Sequence, residues 1–421
     1  MAFPPSPRYR GDFEVAIICA LSLEAEAVEA LFDKYWDEDG DPYGKSSGDP
    51  NAYTTGMIGR HNVVLAYMPG TGKGNAASVA ASLRSSFGGI KLALVVGVCG
   101  AAPNGNNGPI FLGDVIISDG IVEYDLGSQS PNTFVRKDTL LDNRGRPNNE
   151  IRAFLNKLKG RRGRARLKAS TRQHLEFLRT KFGHYHPTTM HDTLFDPAYQ
   201  HKHHNQQSCR ECSKDQVCQA AREATCDTLH CDKRRILPRR RQPDVKKVGD
   251  ISGPEHVEVH IGLIVSGDIV MRSGKHRDEV TAREQAIAFE MEGAGVCDNL
   301  PCVVIKGVSD YADSHKNDSW QGYAALTAAS CMKAFLELWT VTDPILATNF
   351  YSGATDLQVK RAICGQANIT DQETNLSISG PDWHSKRTKM SFRNRRPHRG
   401  ENETPPRFTS RFPNPTEFKG R

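Results

Sequence analysis

The sequence predicts an α/β protein, a three-layer α/β/α arrangement around a largely parallel mixed sheet. Three observations carry this. Several short runs are continuously apolar, without the alternation of a half-exposed sheet, as strands covered on both faces require. Most of these runs lead into a turn and then a stretch with helical spacing, which is the rhythm of strand–helix units. After a long polar interruption the same rhythm resumes, so the later strands complete one sheet with the earlier ones.

Taken in order, FEVAIICAL (13–21) is a strand, and SLEAEAVEALF (22–32), with carboxylates and apolar residues at helical spacing, is the helix it feeds. NVVLAYM (62–68) and GKGNAASVAASLRSSF (72–87) repeat the unit across a glycine turn, and LALVVGV (92–98) ends in a second glycine-rich turn. GDVIISDGIVEYD (113–125) is a long extended run. The second half supplies HIGLIVSGDIVM (260–271), AIAFEMEGAGVCDNL (286–300) and CVVIKGVSDYAD (302–313), and the helical YAALTAASCMKAFLELW (323–339) closes the pattern.

Residues 136–256 lack that rhythm and read as a basic, Cys/His-rich insertion into one domain spanning 12–340; RAFLNKLKG and STRQHLEFLRTKFG within it have helical spacing. Pro, Gly, Asn and basic residues dominate 343–421, which reads as a disordered basic tail. The chain is 421 residues long with 38% apolar residues, enough for a sizeable core. Its net charge of +6 conceals a division. Segments 136–181, 232–247 and 384–421 carry +11, +6 and +8, leaving −19 on the remainder. A nucleic-acid enzyme places positive charge around its site, whereas here the folded body is acidic, so nucleic acid ranks last among partners. No apolar run approaches a membrane span, and the N-terminus lacks a signal peptide's apolar stretch. Of the eleven cysteines, Cys19, Cys99 and Cys302 lie in apolar runs and read as small buried hydrophobes. That usage fits a reducing compartment, and the expectation is a cytoplasmic protein.

The turn PGTGKG (69–74) invites comparison with a phosphate-binding loop, which needs a glycine five residues before Gly-Lys and a hydroxyl after it. Tyr67 and Gly74 stand at those positions, so both anchors are missing. Ligands of such sheets bind beyond the carboxyl ends of the strands. There the sequence places Glu24 and Glu26, the turns Gly70–Gly74 and Gly97–Ala101, Glu290–Met291–Glu292, and Ser309–Asp310. Acids predominate. Gathered carboxylates suit a reaction through an oxocarbenium-like state, one group protonating the leaving group, one activating water and one gripping sugar hydroxyls.

ICALSLEAEAV, GVCGAAP, GLIVSGDIVM, FEMEGAG and GVSDYAD, in that order, resemble the purine nucleoside/uridine phosphorylase superfamily. Within it they are similar to 5′-methylthioadenosine/S-adenosylhomocysteine nucleosidase. YDLG, SDYADSHKN and WQGYAA resemble the nucleosidase-like domain of fungal NOD-like receptors. The resemblance covers roughly 12–340 and implies a sheet of the nucleoside phosphorylase type. It implies that Glu292 binds the ribose hydroxyls with Met291 under the sugar, and that Asp310, oriented by Ser309, protonates the purine. A first-turn glutamate activates water, a role for which Glu24 fits better than its near competitor Glu26. Val270 and Met271 line the base and Phe289 stacks on it. Gly72 and Gly100 lie in the turns beside the sugar and nucleophile. Each acid also has an ordinary structural reading, as a helix cap or a first-turn residue.

Phosphorylases of the superfamily place an arginine and a serine in the turn corresponding to VVGVCGAA, where Val95 and Val98 stand here. The reading is therefore a purine nucleoside N-ribosyl hydrolase needing no cofactor for catalysis. A phosphorylase, to whose phosphate Lys73 could offer one charge, is the first alternative, and a non-catalytic nucleoside-sensing or signalling module the second. Resemblance also implies a homodimer. In the insertion, Cys209, Cys212, Cys218 and Cys226 offer a four-ligand structural zinc site, with Cys231, His201, His203, His204 and His230 nearby, although only the CxxC spacing is standard.

Overall fold

The computed structural model describes residues 6–105, 108–131, 133–139, 147–185, 191–204, 209–213, 216–239 and 257–340. These belong to a unit spanning Met1–Asp343; the expected basic tail lies outside the described residues. In chain order the strands are β1 Val15–Cys19, β2 Lys34–Tyr35, β3 Ala52–Ile58, β4 His61–Tyr67, β5 Leu92–Ala101, β6 Asn104–Gly105, β7 Gly108–Pro109, β8 Val115–Glu123, β9 Gly127–Ser130, β10 Thr133–Arg136, β11 Val259–Ser266, β12 Ala286–Glu290 and β13 Cys302–Asp310. The helices are α1 Ser22–Glu29, α2 Lys73–Ser86, α3 Asn149–Lys159, α4 Arg161–Lys181, α5 Arg210–Ser213, α6 Gln219–Glu223, α7 Gly274–Glu284, α8 Gly293–Cys297 and α9 Gln321–Leu338.

Nine strands form one mixed sheet in the order β12-β11-β8-β13-β5-β1-β4-β3-β2. Strand β8, before residues 136–256, pairs in parallel with β11, after them. The central strands β1, β5 and β13 are parallel neighbours, while β8–β13 and the β2–β3–β4 edge are antiparallel. β12 pairs with β11 on one side and antiparallel with β5 on the other, so five strands curl back on themselves, a closure that apolar periodicity does not reveal. Every residue of β1 and β13 is buried, which is why β1 and the start of β13, residues 302–305, read as continuous apolar runs.

Helix α9 is apolar on nearly all sides because it lies between the sheet and another helix, α4. Leu167, Thr171, Leu175 and Leu178 form the buried stripe of α4 at helical spacing, with Arg and Lys on its other face. Asn148 caps α3, accepting the Ile151 N–H at 2.9 Å. The basic stretch after residue 136 therefore divides. Its first part supplies two helices that belong to the main hydrophobic core, and, among the described residues, 191–239 form a satellite in which Leu194 joins that core while Phe195 to Ile236 build a small one of their own. Cys302 is not a free thiol either. It forms a disulfide with Cys297, which the short turn from α8 to β13 brings within 5.5 Å, Cα to Cα.

Candidate active site

The strand-end acids converge around the last residues of β5. Glu24, in the first turn of α1, is 2% exposed. Its carboxylate accepts the N–H groups of Ala20 and Leu21, both at 3.0 Å, and of Val98 at 2.8 Å. Glu26, its competitor, is exposed. Gly97 makes the Glu24 position possible: a Cβ there would lie 2.1 Å from Oε1. Burial pushes the Glu24 carboxyl above the ordinary glutamate value, against the pull of Lys306 and of the Leu21 and Val98 N–H groups.

Lys306, which sequence reasoning passed over, sits at the centre of the cluster. It is 1% exposed and its Nζ lies 2.9 Å from Glu292 Oε2. Burial acts against its charge, but Glu292, Glu24 and Glu290 outweigh that and hold its pKa above the usual lysine value. The signal was present: a single lysine inside the apolar strand CVVIKGV must carry a partner into the interior. Glu292 Oε1 faces the Gly72 N–H at 3.4 Å. Glu290 is buried beside it and caps α8, accepting the Glu292 N–H at 3.0 Å and the Gly293 N–H at 2.9 Å. Burial raises its pKa as well.

On the other side of β5, a bulge in β13 skips Ser309 and pairs Asp310 with Gly100. A Cβ at Gly100 would lie 2.8 Å from Asp310 Oδ1, so the strands pass this closely only with glycine there. Ser309 Oγ lies 3.2 Å from the Cys99 carbonyl and 3.0 Å from Asp310 Oδ2, while Asp310 Oδ1 accepts the Ala312 N–H at 2.8 Å. Lys316 also holds Oδ2, at 2.8 Å. Four consecutive residues, Gly97 to Gly100, thus touch the surroundings of both Glu24 and Asp310.

The apolar wall is uneven. Phe289 and Met271 are buried in a cluster with Val122, Tyr124 and Val265, and Phe289 meets Tyr124 edge to face at 5.7 Å. Val270 is 47% exposed, and Met291 is partly exposed beside Glu292. Lys73 is committed elsewhere: its Nζ lies 2.5 Å from both Glu123 and Asp125. A separate cavity of about 270 Å³ lies at the other end of β13, lined by Ser118, Asn148, Cys297 and Cys302 among others, away from this cluster.

The expected zinc ligands divide. Cys209, Cys212 and Cys218 gather with His203, but Cys226 does not join them; it lies 3.6 Å from His201 Nδ1. The fold of the segment puts the turn around Cys226 beside a different histidine, which residue spacing alone could not resolve.

A family model described as the phosphorylase superfamily matches residues 14–337. A nucleotide-binding leucine-rich repeat (NLR)-like protein of Hyaloscypha variabilis is 28% identical over 331 residues, which are 77% of this chain and 29% of that protein. An aminodeoxyfutalosine nucleosidase of Helicobacter pylori is 30% identical over 96 residues, 21% of this chain and 42% of the relative. The chain thus spans less than half the length of either relative. A solved 5′-methylthioadenosine/S-adenosylhomocysteine nucleosidase of H. pylori aligns at 15% identity with a TM-score of 0.43, covering 78% of this chain and 100% of that one.

Proposed function

The chain belongs to the phosphorylase superfamily, and from that premise we propose that it cleaves the N-glycosidic bond of a purine nucleoside with water as the nucleophile. Glu24 takes the proton of the attacking water, Glu292 grips the ribose hydroxyls, and Asp310, oriented by Ser309, delivers a proton to the departing base. A buried carboxyl with a raised pKa is better matched to proton abstraction near neutrality than an exposed one. The partly exposed Met291 flanks the ribose, and Phe289 with Met271 forms the apolar side of the base subsite. A purine reaching Asp310 Oδ2 displaces Lys316 from it.

The charge of the site carries the choice of water over phosphate. Glu24, Glu290 and Glu292 surround one lysine, Lys306, and Lys73 is engaged by Glu123 and Asp125. A phosphate dianion needs unpaired cationic donors; Lys306 and Lys73 are already neutralised by carboxylates, and Lys316 belongs to the base end of the site, beside Asp310, not to the side of Glu24. Chromatographic detection of free base from adenosine, inosine, guanosine and methylthioadenosine, with and without phosphate and beside Asp310→Asn, tests the proposal. Base and free ribose released without phosphate, and lost in the variant, are expected. Release only with phosphate would establish a phosphorylase. A second reading, a nucleoside-sensing module, is favoured by the match of most of the chain to a part of the NLR-like protein. Binding without release of base from any substrate would support it.

A further inference from the structure

The satellite at residues 191–239 has too little core to hold itself together. Its buried apolar cluster is Phe195, Cys212, Cys218, Ala221, Leu229 and Cys231, half of them cysteines, and modules this small depend on disulfides or metals. Its cysteines are all free thiols. They are arranged in two groups, each around a histidine Nδ1.

In the first group, His203 Nδ1 lies 3.6 Å from Cys212 Sγ and 3.5 Å from Cys218 Sγ, with Cys209 completing a set whose donor atoms all lie within 4.8 Å of one another. In the second, His201 Nδ1 lies 3.6 Å from Cys226 Sγ and 3.3 Å from Cys231 Sγ. A neutral ring nitrogen has one lone pair and accepts one hydrogen bond, yet here two sulfurs approach each such nitrogen. A tetrahedral zinc with Zn–S of about 2.3 Å and Zn–N of about 2.05 Å sets its S···N separations at about 3.6 Å. The observed spacings match that figure closely.

Two further observations bear on the second group. His201 Nε2 lies 2.9 Å from the Ala224 carbonyl, which places the ring proton on Nε2 and leaves the Nδ1 lone pair directed at the sulfurs, the arrangement of a metal-bound histidine. His315 joins His201 and Cys231 with donor atoms within 4.8 Å, is 8% exposed, and its Nε2 is buried with no hydrogen-bond partner. It is held in place by stacking on Phe195 at 3.8 Å. His315 comes from the loop after β13, five residues beyond Asp310, more than eighty residues from the next ligand in sequence.

We propose that residues 191–239 bind two zinc ions, one held by His203, Cys209, Cys212 and Cys218 and the other by His201, Cys226, Cys231 and His315. The second ion ties the satellite to the loop that follows Asp310. Three thiolates with one imidazole, and two with two, are the donor sets of tetrahedral structural zinc sites. The proposal does not depend on which reaction, if any, the strand-end acids perform.

The test is metal content by mass spectrometry on the full chain, purified without chelator and supplied with zinc. Two zinc ions per chain are expected in the wild type, and one in each of Cys212→Ser and His315→Ala. Cobalt exchanged into the wild type reads the same count without a substitution, because the sulfur-to-cobalt band scales with cobalt–sulfur bonds: five per chain for both sites, three for the first alone. Fewer than two zinc ions per wild-type chain, two retained in His315→Ala, or a charge-transfer intensity of three bonds would each overturn it.

Discussion

Replacing Gly97 by alanine tests the base assignment without touching an acid. The new methyl would lie 2.1 Å from Glu24 Oε1 and 2.4 Å from its Cδ. Since β5 is locked between β1 and β13, the side chain must yield. Restoring an ordinary contact of about 3.5 Å moves the carboxylate by roughly 1.4 Å. The 2.8 Å bond from Val98 N–H then stretches past hydrogen-bonding length. A hydrogen bond to a charged group is worth about 1.5–3 kcal/mol, which is the expected loss of stability. Misplacing a catalytic group by about 1 Å can cost roughly 100-fold in rate, so base release should fall at least that far, towards the level of Glu24→Gln. Chromatographic turnover and urea unfolding measure the two effects, with Gly88→Ala, where an added methyl meets open space, as the control. Turnover by Gly97→Ala within about threefold of the wild type would refute the role given to Glu24.

Lys306→Met leaves buried carboxylates without their cation and should destabilise by about 3–5 kcal/mol, with part of the loss recovered in the double variant Lys306→Met/Glu292→Gln; strictly additive losses would contradict the pairing. Glu24 and Glu290 have raised pKa values in the folded state, so above the ordinary glutamate value of 4.5 the native state holds more protons than the unfolded one. Stability should therefore fall as pH rises from there through the folded pKa values, by up to about 1.4 kcal/mol per pH unit per group. Glu290→Gln should flatten that slope in urea unfolding, and an unchanged slope would rule Glu290 out as its source. Leu178→Ala, at a fully buried position of α4, the helix that packs on α9, should cost about 2–5 kcal/mol. A loss below about 0.5 kcal/mol would show that the basic helix is not part of the core.

The parallel strands were legible because burial on both faces leaves no room for polar residues, and FEVAIICAL and CVVIKGV display that constraint directly. The strand-end acids were legible for the converse reason, standing where the apolar runs stop. Lys306 was legible only in part: a lysine inside an apolar strand demands a buried partner, but Glu24 and Glu292 lie on other elements, so the partners could not be read locally. Helix α4 was masked by composition. Its arginines and lysines dominate any average, and only the spacing of Leu167, Thr171, Leu175 and Leu178 betrays a face turned to the core. The division of the cysteines into two sets follows from which of His203 and His201 each one faces, and the second set also draws on His315, which no spacing rule within the Cys/His segment could supply.

The loop after Asp310 is held from several directions, and that bears on how an acid there stays in place. Arg277, fully buried, donates to the Tyr311 carbonyl at 2.8 Å. The Tyr311 hydroxyl meets Asp192 and Arg239, the two ends of the Cys/His satellite, and Arg239 also donates to the carbonyls of Pro103 at 2.8 Å and Ile110 at 2.6 Å. Ala312 adopts a left-handed conformation, φ +51°, which an alanine accepts only when its surroundings impose it. These contacts impose it. The turn returns the Ala312 N–H to Asp310 Oδ1, so the strained backbone and the carboxylate orientation form a single arrangement. The satellite, far from Asp310 in sequence, is thereby a structural support of its geometry.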